Sequence, residues 1–167
     1  MIRMPALFIA AALFTGLLPG CALQPLYSGG TAGTVASALQ SVNVDAIEGK
    51  AGWLVRNALN DRLAPSDGAG AKYRLAIKLD DNIEGLGVRS DETVTRERRT
   101  LRARYQLIDA ATGTILLDAT AGSDAGIDVV SSEYATIAGE NTALENLSQK
   151  IADQIVARLS LYARQPK

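Results

Sequence analysis

Histidine is absent from the 167 residues of this chain, and cysteine occurs once, at Cys21. Without histidine the chain cannot form Ser–His or Cys–His nucleophile systems, and it lacks the commonest transition-metal ligand in proteins. The carboxylate pairs Asp80-Asp81 and Asp91-Glu92 have no spacing specific for catalysis, and no glycine-rich phosphate loop is present. The sequence therefore predicts a protein that is not an enzyme and that holds neither a metal nor a cofactor.

An excess of positive charge is also missing, because the formal net charge is −1. This balance argues against nucleic acid as a partner. The positive charges are nevertheless unevenly distributed: five arginines fall within residues 96–104, whereas residues 105–149 contain neither lysine nor arginine. A cationic function, if the protein has one, belongs to the first of these regions.

Long apolar runs are confined to residues 6–18, which are too few to span a bilayer comfortably as a helix. With Arg3 before it, this run has the form of a secretory leader. The run ends in Leu18-Pro19-Gly20-Cys21, which resembles the bacterial lipobox, in which the cysteine is acylated. The alternative is an ordinary leader with an accidental cysteine. We predict a signal peptide over residues 1–20, lipidation at Cys21 and a flexible, glycine-rich tether within residues 21–40.

Residues 96–108 alternate between apolar and polar side chains with the period of two that a β-strand gives. Leu101, Ala103, Tyr105 and Leu107 share one face, and arginines dominate the other. Basic residues alternate in the same way over residues 72–79, which predicts a second strand with a basic outer face. The predicted outer face of the sheet carries seven cations: Lys72, Arg74, Lys78, Arg96, Arg98, Arg102 and Arg104.

Two amphipathic helices accompany these strands, over residues 51–63 and from residue 133 onwards, the second with Ser131 or Ser132 as N-cap. Further strands are predicted at residues 42–46 and 115–121, and residues 80–92 are predicted to be a hairpin connection. Two helices need one apolar surface, and a sheet with one apolar face supplies it. We predict a single α+β domain over residues 41–167. It is a two-layer sandwich in the order β-α-β-β-β-α, with both helices on one face of a four-stranded, mostly antiparallel or mixed sheet.

Two features have competing interpretations. Arginine suits bidentate contact with phosphate or carboxylate, so the arginine row is predicted to meet an anionic ligand or acidic partner residues. The alternative is a solvated sheet face whose charges discourage aggregation. The single tryptophan, Trp53, is predicted to pack in the core or at its edge, with a partner-facing anchor as the alternative.

Several short segments, in this order and spacing, resemble the lipopolysaccharide-assembly lipoprotein family LptE. They are Gln24-Pro25-Leu26-Tyr27 after the cysteine, Val55-Arg56-Asn57 on the first helix, residues 105–113 at a hairpin, and Ser132-Glu133-Tyr134-Ala135 before the last helix. The resemblance implies an outer-membrane lipoprotein that plugs the β-barrel translocon LptD, supports its assembly and contacts lipopolysaccharide. It also implies that Arg98, with Arg96 close by, corresponds to a basic residue involved in lipopolysaccharide contact.

The expected location is therefore the outer membrane, with the domain held by acyl chains on the periplasmic side or in the barrel lumen. Ala22 after the cysteine fits outer-membrane sorting. The alternative function is that of an auxiliary periplasmic lipoprotein of a lipid-transport ABC system. A lipid-anchored hydrolase is a third and weaker alternative.

Overall fold

The computed structural model describes residues 33–65, 70–88 and 94–165. Its elements are α1 (Thr34–Gln40), β1 (Val42–Val44), α2 (Gly49–Leu63), β2 (Tyr73–Val88), β3 (Val94–Asp109), β4 (Ile115–Asp128) and α3 (Glu133–Ala163). The predicted signal peptide, Cys21 and the pair Asp91-Glu92 lie outside the described residues. The strands and the two long helices follow the predicted order, so the α+β prediction is confirmed.

One mixed sheet contains all four strands in the order β1-β2-β3-β4. Short β1 runs parallel to the start of β2, with α2 as the crossover between them, and the longer strands pair antiparallel. The predicted turn between β3 and β4 is present. The carboxylate of Asp109 accepts hydrogen bonds from the N–H groups of Ala111 and Thr112, both at 2.9 Å, and Gly113 has a φ of 71°. A positive φ is the conformation for which glycine is suited.

Strands β2 and β4 are longer than the sequence predicts. Residues 80–88, expected to be part of a connection, continue β2 and pair with β3 as far as Val88 opposite Val94. Strand β4 likewise continues past Ala121 to Asp128. At about 3.3 Å per residue, the β2–β3 hairpin is roughly 50 Å long. Pairing with β3 therefore overrides the low strand propensity of the aspartates, asparagine and glycines in these segments.

The core lies between the sheet and the two long helices. Leu75, Leu101 and Tyr105 point from the sheet into it, and α2 contributes Val55 and Leu59, all at most 2% exposed. The apolar stripe of α3 covers the same sheet face; its buried residues include Leu144, Leu147, Ile151, Ile155 and Leu159. Both helices therefore pack on one face of the sheet, as predicted, and leave the other face uncovered by the described helices.

Helix α1 was not predicted. It occupies the end of the segment that the sequence analysis assigned to the tether, and Val35 and Leu39 are buried in the core. None of the described helices is both long and apolar enough to cross a membrane.

Trp53 is 64% exposed, so the prediction that it packs in the core is wrong. It lies about 200° around α2 from Val55, on the outward side of the helix. The single tryptophan therefore belongs to the surface of the domain.

Candidate functional site: the open face of the sheet

The face of the sheet opposite the helices, called the open face below, carries the predicted cations. In β3, Arg96, Arg98, Arg102 and Arg104 are exposed, whereas Leu101 and Ala103 between them are buried. Arg74 and Lys78 on β2 and Lys72 just before it are exposed as well. The strand period thus sorts the side chains of β3 onto two chemically distinct faces.

Acidic residues alternate with these cations, and most of them lie outside the predicted strands. Asp80 and Glu84 of β2 lie opposite Arg102 and Arg98 in the register. Strand β4 adds Asp118, Asp124 and Asp128. The sequence pattern predicts that β2 ends at residue 79 and β4 at residue 121, so all of these residues except Asp118 lie outside the predicted strands. The open face is therefore of mixed charge, which reduces the repulsion among its seven cations.

Three of the seven cations form ion pairs. Arg104 binds Asp118 through two contacts, Nη2 to Oδ2 at 2.9 Å and Nε to Oδ1 at 3.2 Å. Arg74 contacts Asp45 at 2.7 Å, and Arg96 contacts Asp128 at 3.2 Å. The Arg96 pair is highly exposed, so it contributes little to stability.

The Arg104 pair also changes the acidity of its partner. Hydrogen bonds from Arg104 and Gln106 lower the pKa of Asp118 to about 2, because they favour the charged carboxylate. The same interaction raises the pKa of Arg104. The Arg104 guanidinium is thus already bound by a carboxylate of its own chain.

The charged groups of the other four cations form no hydrogen bond or ion pair with residues in the described ranges; these are Lys72, Lys78, Arg98 and Arg102. Arg98 and Arg102 lie four residues apart on β3, or about 13 Å. Each lies across from a glycine of β4, Gly126 and Gly122 respectively. A Cβ atom at Gly122 would be 3.6 Å from the Arg102 side chain, an ordinary van der Waals distance, so Arg102 lies alongside Gly122 without requiring a glycine there.

Each of these two arginines lines a shallow depression of about 420 Å³. The depression at Arg102 also includes Lys78 and Thr120, and the one at Arg98 includes Arg96 and Asp124. An exposed guanidinium can donate two parallel hydrogen bonds to a phosphate or carboxylate. Chemically, the open face offers two separate positions for an anionic group. Within the described residues no cluster of three potential metal ligands occurs.

Arg99, the remaining arginine of the cluster, lies on the helix side and has a structural role. It binds both carboxylate oxygens of Asp81, at 2.8 and 2.5 Å, and donates to the backbone carbonyl of Glu140 on α3 at 2.9 Å. Its side chain is only 12% exposed. The hydrogen bonds to Asp81 raise its pKa. Arg99 is an odd-numbered residue of a strand whose odd-numbered side chains face the helices. The strand period could therefore have indicated this inward orientation.

Several solved bacterial lipoproteins share this two-layer architecture. A protein from Caulobacter crescentus CB15 assigned as a lipoprotein is 25% identical, with a TM-score of 0.67, covering 80% of this chain and 100% of that one. The rare lipoprotein B of Shewanella oneidensis is 10% identical, with a TM-score of 0.56 and coverages of 72% and 92%. A minor lipoprotein of Acinetobacter baumannii is 14% identical, with a TM-score of 0.54 and coverages of 75% and 94%. The fold is thus that of a class of small bacterial lipoproteins.

The family model of the lipopolysaccharide-assembly proteins, LptE, matches residues 39–159. The chain therefore belongs to the LptE family, as the sequence resemblance indicated. This is a family of non-enzymatic lipoproteins with a role in lipopolysaccharide assembly. A search among curated proteins gave no match.

Proposed function

We propose that this protein is an outer-membrane lipoprotein that plugs an LptD-like translocon barrel, supports the assembly of that barrel, and contacts lipopolysaccharide through the open face of its sheet. The observation that carries the ligand contact is the state of Arg98 and Arg102, which are exposed and unpaired within the described residues while neighbouring arginines are neutralised. Family membership supports the role in lipopolysaccharide assembly.

Arg98 and Arg102 are the residues of the open face best suited to the phosphate groups of lipopolysaccharide. Their guanidinium groups have no ion-pair partner among residues 33–65, 70–88 and 94–165, and each lies at a depression in the surface. Lys78, in the depression at Arg102, and Lys72, further along the same face, add charge that has no partner among the described residues. Arg74, Arg96 and Arg104 would have to exchange an internal carboxylate for the ligand, so we assign them a secondary part in ligand or barrel contact.

The test is charge reversal with a matched control. Arg98→Glu and Arg102→Glu should each lower the amount of lipopolysaccharide retained by the full-length protein in detergent by about five-fold, since an attractive contact becomes a repulsive one. Lys150→Glu on the exposed side of α3 makes the same change of charge away from the open face and should retain wild-type binding. Equal retention by all three variants would refute the ligand role of the arginines.

The partner is tested by co-purification of the acylated protein from membranes in detergent. A stable complex with a large outer-membrane barrel is the expected result. Recovery with an inner-membrane transporter instead would overturn the plug proposal and favour the role of an auxiliary lipoprotein.

A further inference from the structure

Among the described strands, β4 forms an outer edge of the sheet and pairs with β3 alone. It is 14 residues long, and from Ala119 to Gly126 its side chains are small. It contains no proline and no lysine, two of the devices by which proteins block an edge against added strands. The edge strand therefore lacks these two protections.

The side chain of Gln154, on α3, occupies one position of this edge. Its Oε1 atom accepts a hydrogen bond from the Gly122 N–H at 3.1 Å, and its Nε2 atom donates to the Gly122 carbonyl at 3.2 Å. A primary amide has the acceptor and the donor of a peptide unit. Gln154 thus makes the two hydrogen bonds that one residue of an added antiparallel strand would make.

This contact also fixes the direction of the other backbone groups. In an antiparallel strand the N–H and C=O of one residue point to the same side, and the side alternates along the chain. The register between β3 and β4 is unbroken from residue 117 to residue 128. Thr120 and Asp124 therefore point outward like Gly122, and their N–H groups have no hydrogen-bond partner among the described residues.

A groove runs beside this edge and indicates what an added strand would contact. It has a volume of about 490 Å³ between the edge of β4 and α3, and its lining includes Ala119, Ala121 and Arg158. On the open face, Asp124 is exposed and is the carboxylate of β4 with no ion-pair partner among the described residues; it lines the same depression as Arg96 and Arg98. Residues 105–149 as a whole contain seven acidic residues and no basic one.

We propose that the edge of β4 binds an extended segment of a partner protein by strand addition, with the Gln154 amide displaced. The segment carries a lysine or arginine facing Asp124 and apolar side chains facing the small residues of the groove. A second copy of this chain fits less well, because it would place one acidic edge against another. The proposal adds a protein-docking surface to the proposed function and does not depend on lipopolysaccharide contact by Arg98 or Arg102.

The probe is an eight-residue peptide of alternating lysine and valine, compared with a peptide of alternating glutamate and valine. Binding to the full-length protein in nonionic detergent is measured by fluorescence anisotropy. We expect the lysine peptide to bind at least about ten-fold more tightly than the glutamate peptide, and Asp124→Lys to remove most of this preference.

Two substitutions at one position test the backbone contact. Thr120→Pro removes an outward N–H, which an edge strand tolerates, and should weaken binding of the lysine peptide about ten-fold, whereas Thr120→Val should bind within two-fold of wild type. Gln154→Ala frees the Gly122 groups and should bind at least as tightly as wild type. Equal binding by the proline and valine variants would overturn strand addition.

Amide hydrogen exchange provides an independent readout. In the free protein the outward amides of Thr120 and Asp124 should exchange rapidly and that of Ala121, which faces β3, slowly; the peptide should slow the first two. Slow exchange of Thr120 and Asp124 in the free protein, or dimerisation through β4 in sedimentation, would overturn the proposal. Arg98→Glu removes a cation near Asp124 and should not weaken binding of the lysine peptide, whereas it should lower lipopolysaccharide retention; these different outcomes separate the two tests.

Discussion

At the scale of the residue, Asp118 shows how a carboxylate on a solvent-exposed charged surface can be bound by side chains of its own strand neighbours. Two contacts from Arg104 and one from Gln106 converge on its carboxylate. Arg98 and Arg102, on the same strand face, have no such partner within the described residues. Arg104 thus binds a diagonal neighbour on β4, whereas Arg98 and Arg102 form no ion pair with Glu84 and Asp80, which lie opposite them on β2.

The Asp118 contact predicts a defined pH dependence. Because the folded pKa is about 2, below its ordinary value of 3.8, the pair stabilises the fold at higher pH, and this stabilisation is lost as the pH falls from about 4 to 2. Arg104→Met should raise the titration midpoint of the Asp118 carboxyl carbon, followed by NMR, towards 3.8. Arg98→Met should leave that midpoint unchanged, and an equal shift in both variants would contradict the assignment to Arg104.

At the scale of the element, Arg99 connects three secondary-structure elements, β2, β3 and α3. Its guanidinium joins β3 to Asp81 of β2 and to the Glu140 carbonyl of α3 in a largely buried setting. Arg99→Met should lower the free energy of unfolding by about 1.5–3 kcal/mol, because it leaves Asp81 and a carbonyl without their charged donor. Urea denaturation followed by circular dichroism measures this loss.

The neighbouring arginine provides the control for that measurement. Arg98→Met removes the same side chain from an exposed position and should change the free energy of unfolding by no more than about 0.5 kcal/mol. If the two variants were equally stable, Arg99 would have no structural role.

Most elements could be predicted from periodicity, since β3 and α3 repeat apolar residues at the spacing of a strand and of a helix. The C-terminal ends of β2 and β4 could not be predicted in this way. Their distal halves are rich in aspartate and glycine, which locally favour turns, and only pairing with β3 makes them strands. The same error concealed most of the acidic residues of the open face and the free edge of β4. The exposed cations were found because they lie within the strongly periodic parts.

At the scale of the whole molecule, the central question is how the domain is held at the membrane. We propose that Cys21 is acylated and that Cys21→Ser therefore moves the protein from the outer-membrane fraction to the soluble periplasmic fraction, because multiple acyl chains supply the anchoring free energy. Fractionation of cells with immunodetection measures the distribution of the protein between the two fractions. Ala22→Ser, next to the lipobox cysteine, is the control and should stay in the membrane fraction. A Cys21→Ser variant that remained in the outer-membrane fraction would contradict the proposal that acylation of Cys21 is the main anchor.

The exposure of Trp53 has a practical consequence for these experiments. Because it is the only tryptophan and lies largely in solvent, its fluorescence is a poor reporter of core unfolding. The same property makes the indole a native optical probe of any protein that covers the outer side of α2. A blue shift of its emission on complex formation would report such coverage without an added label.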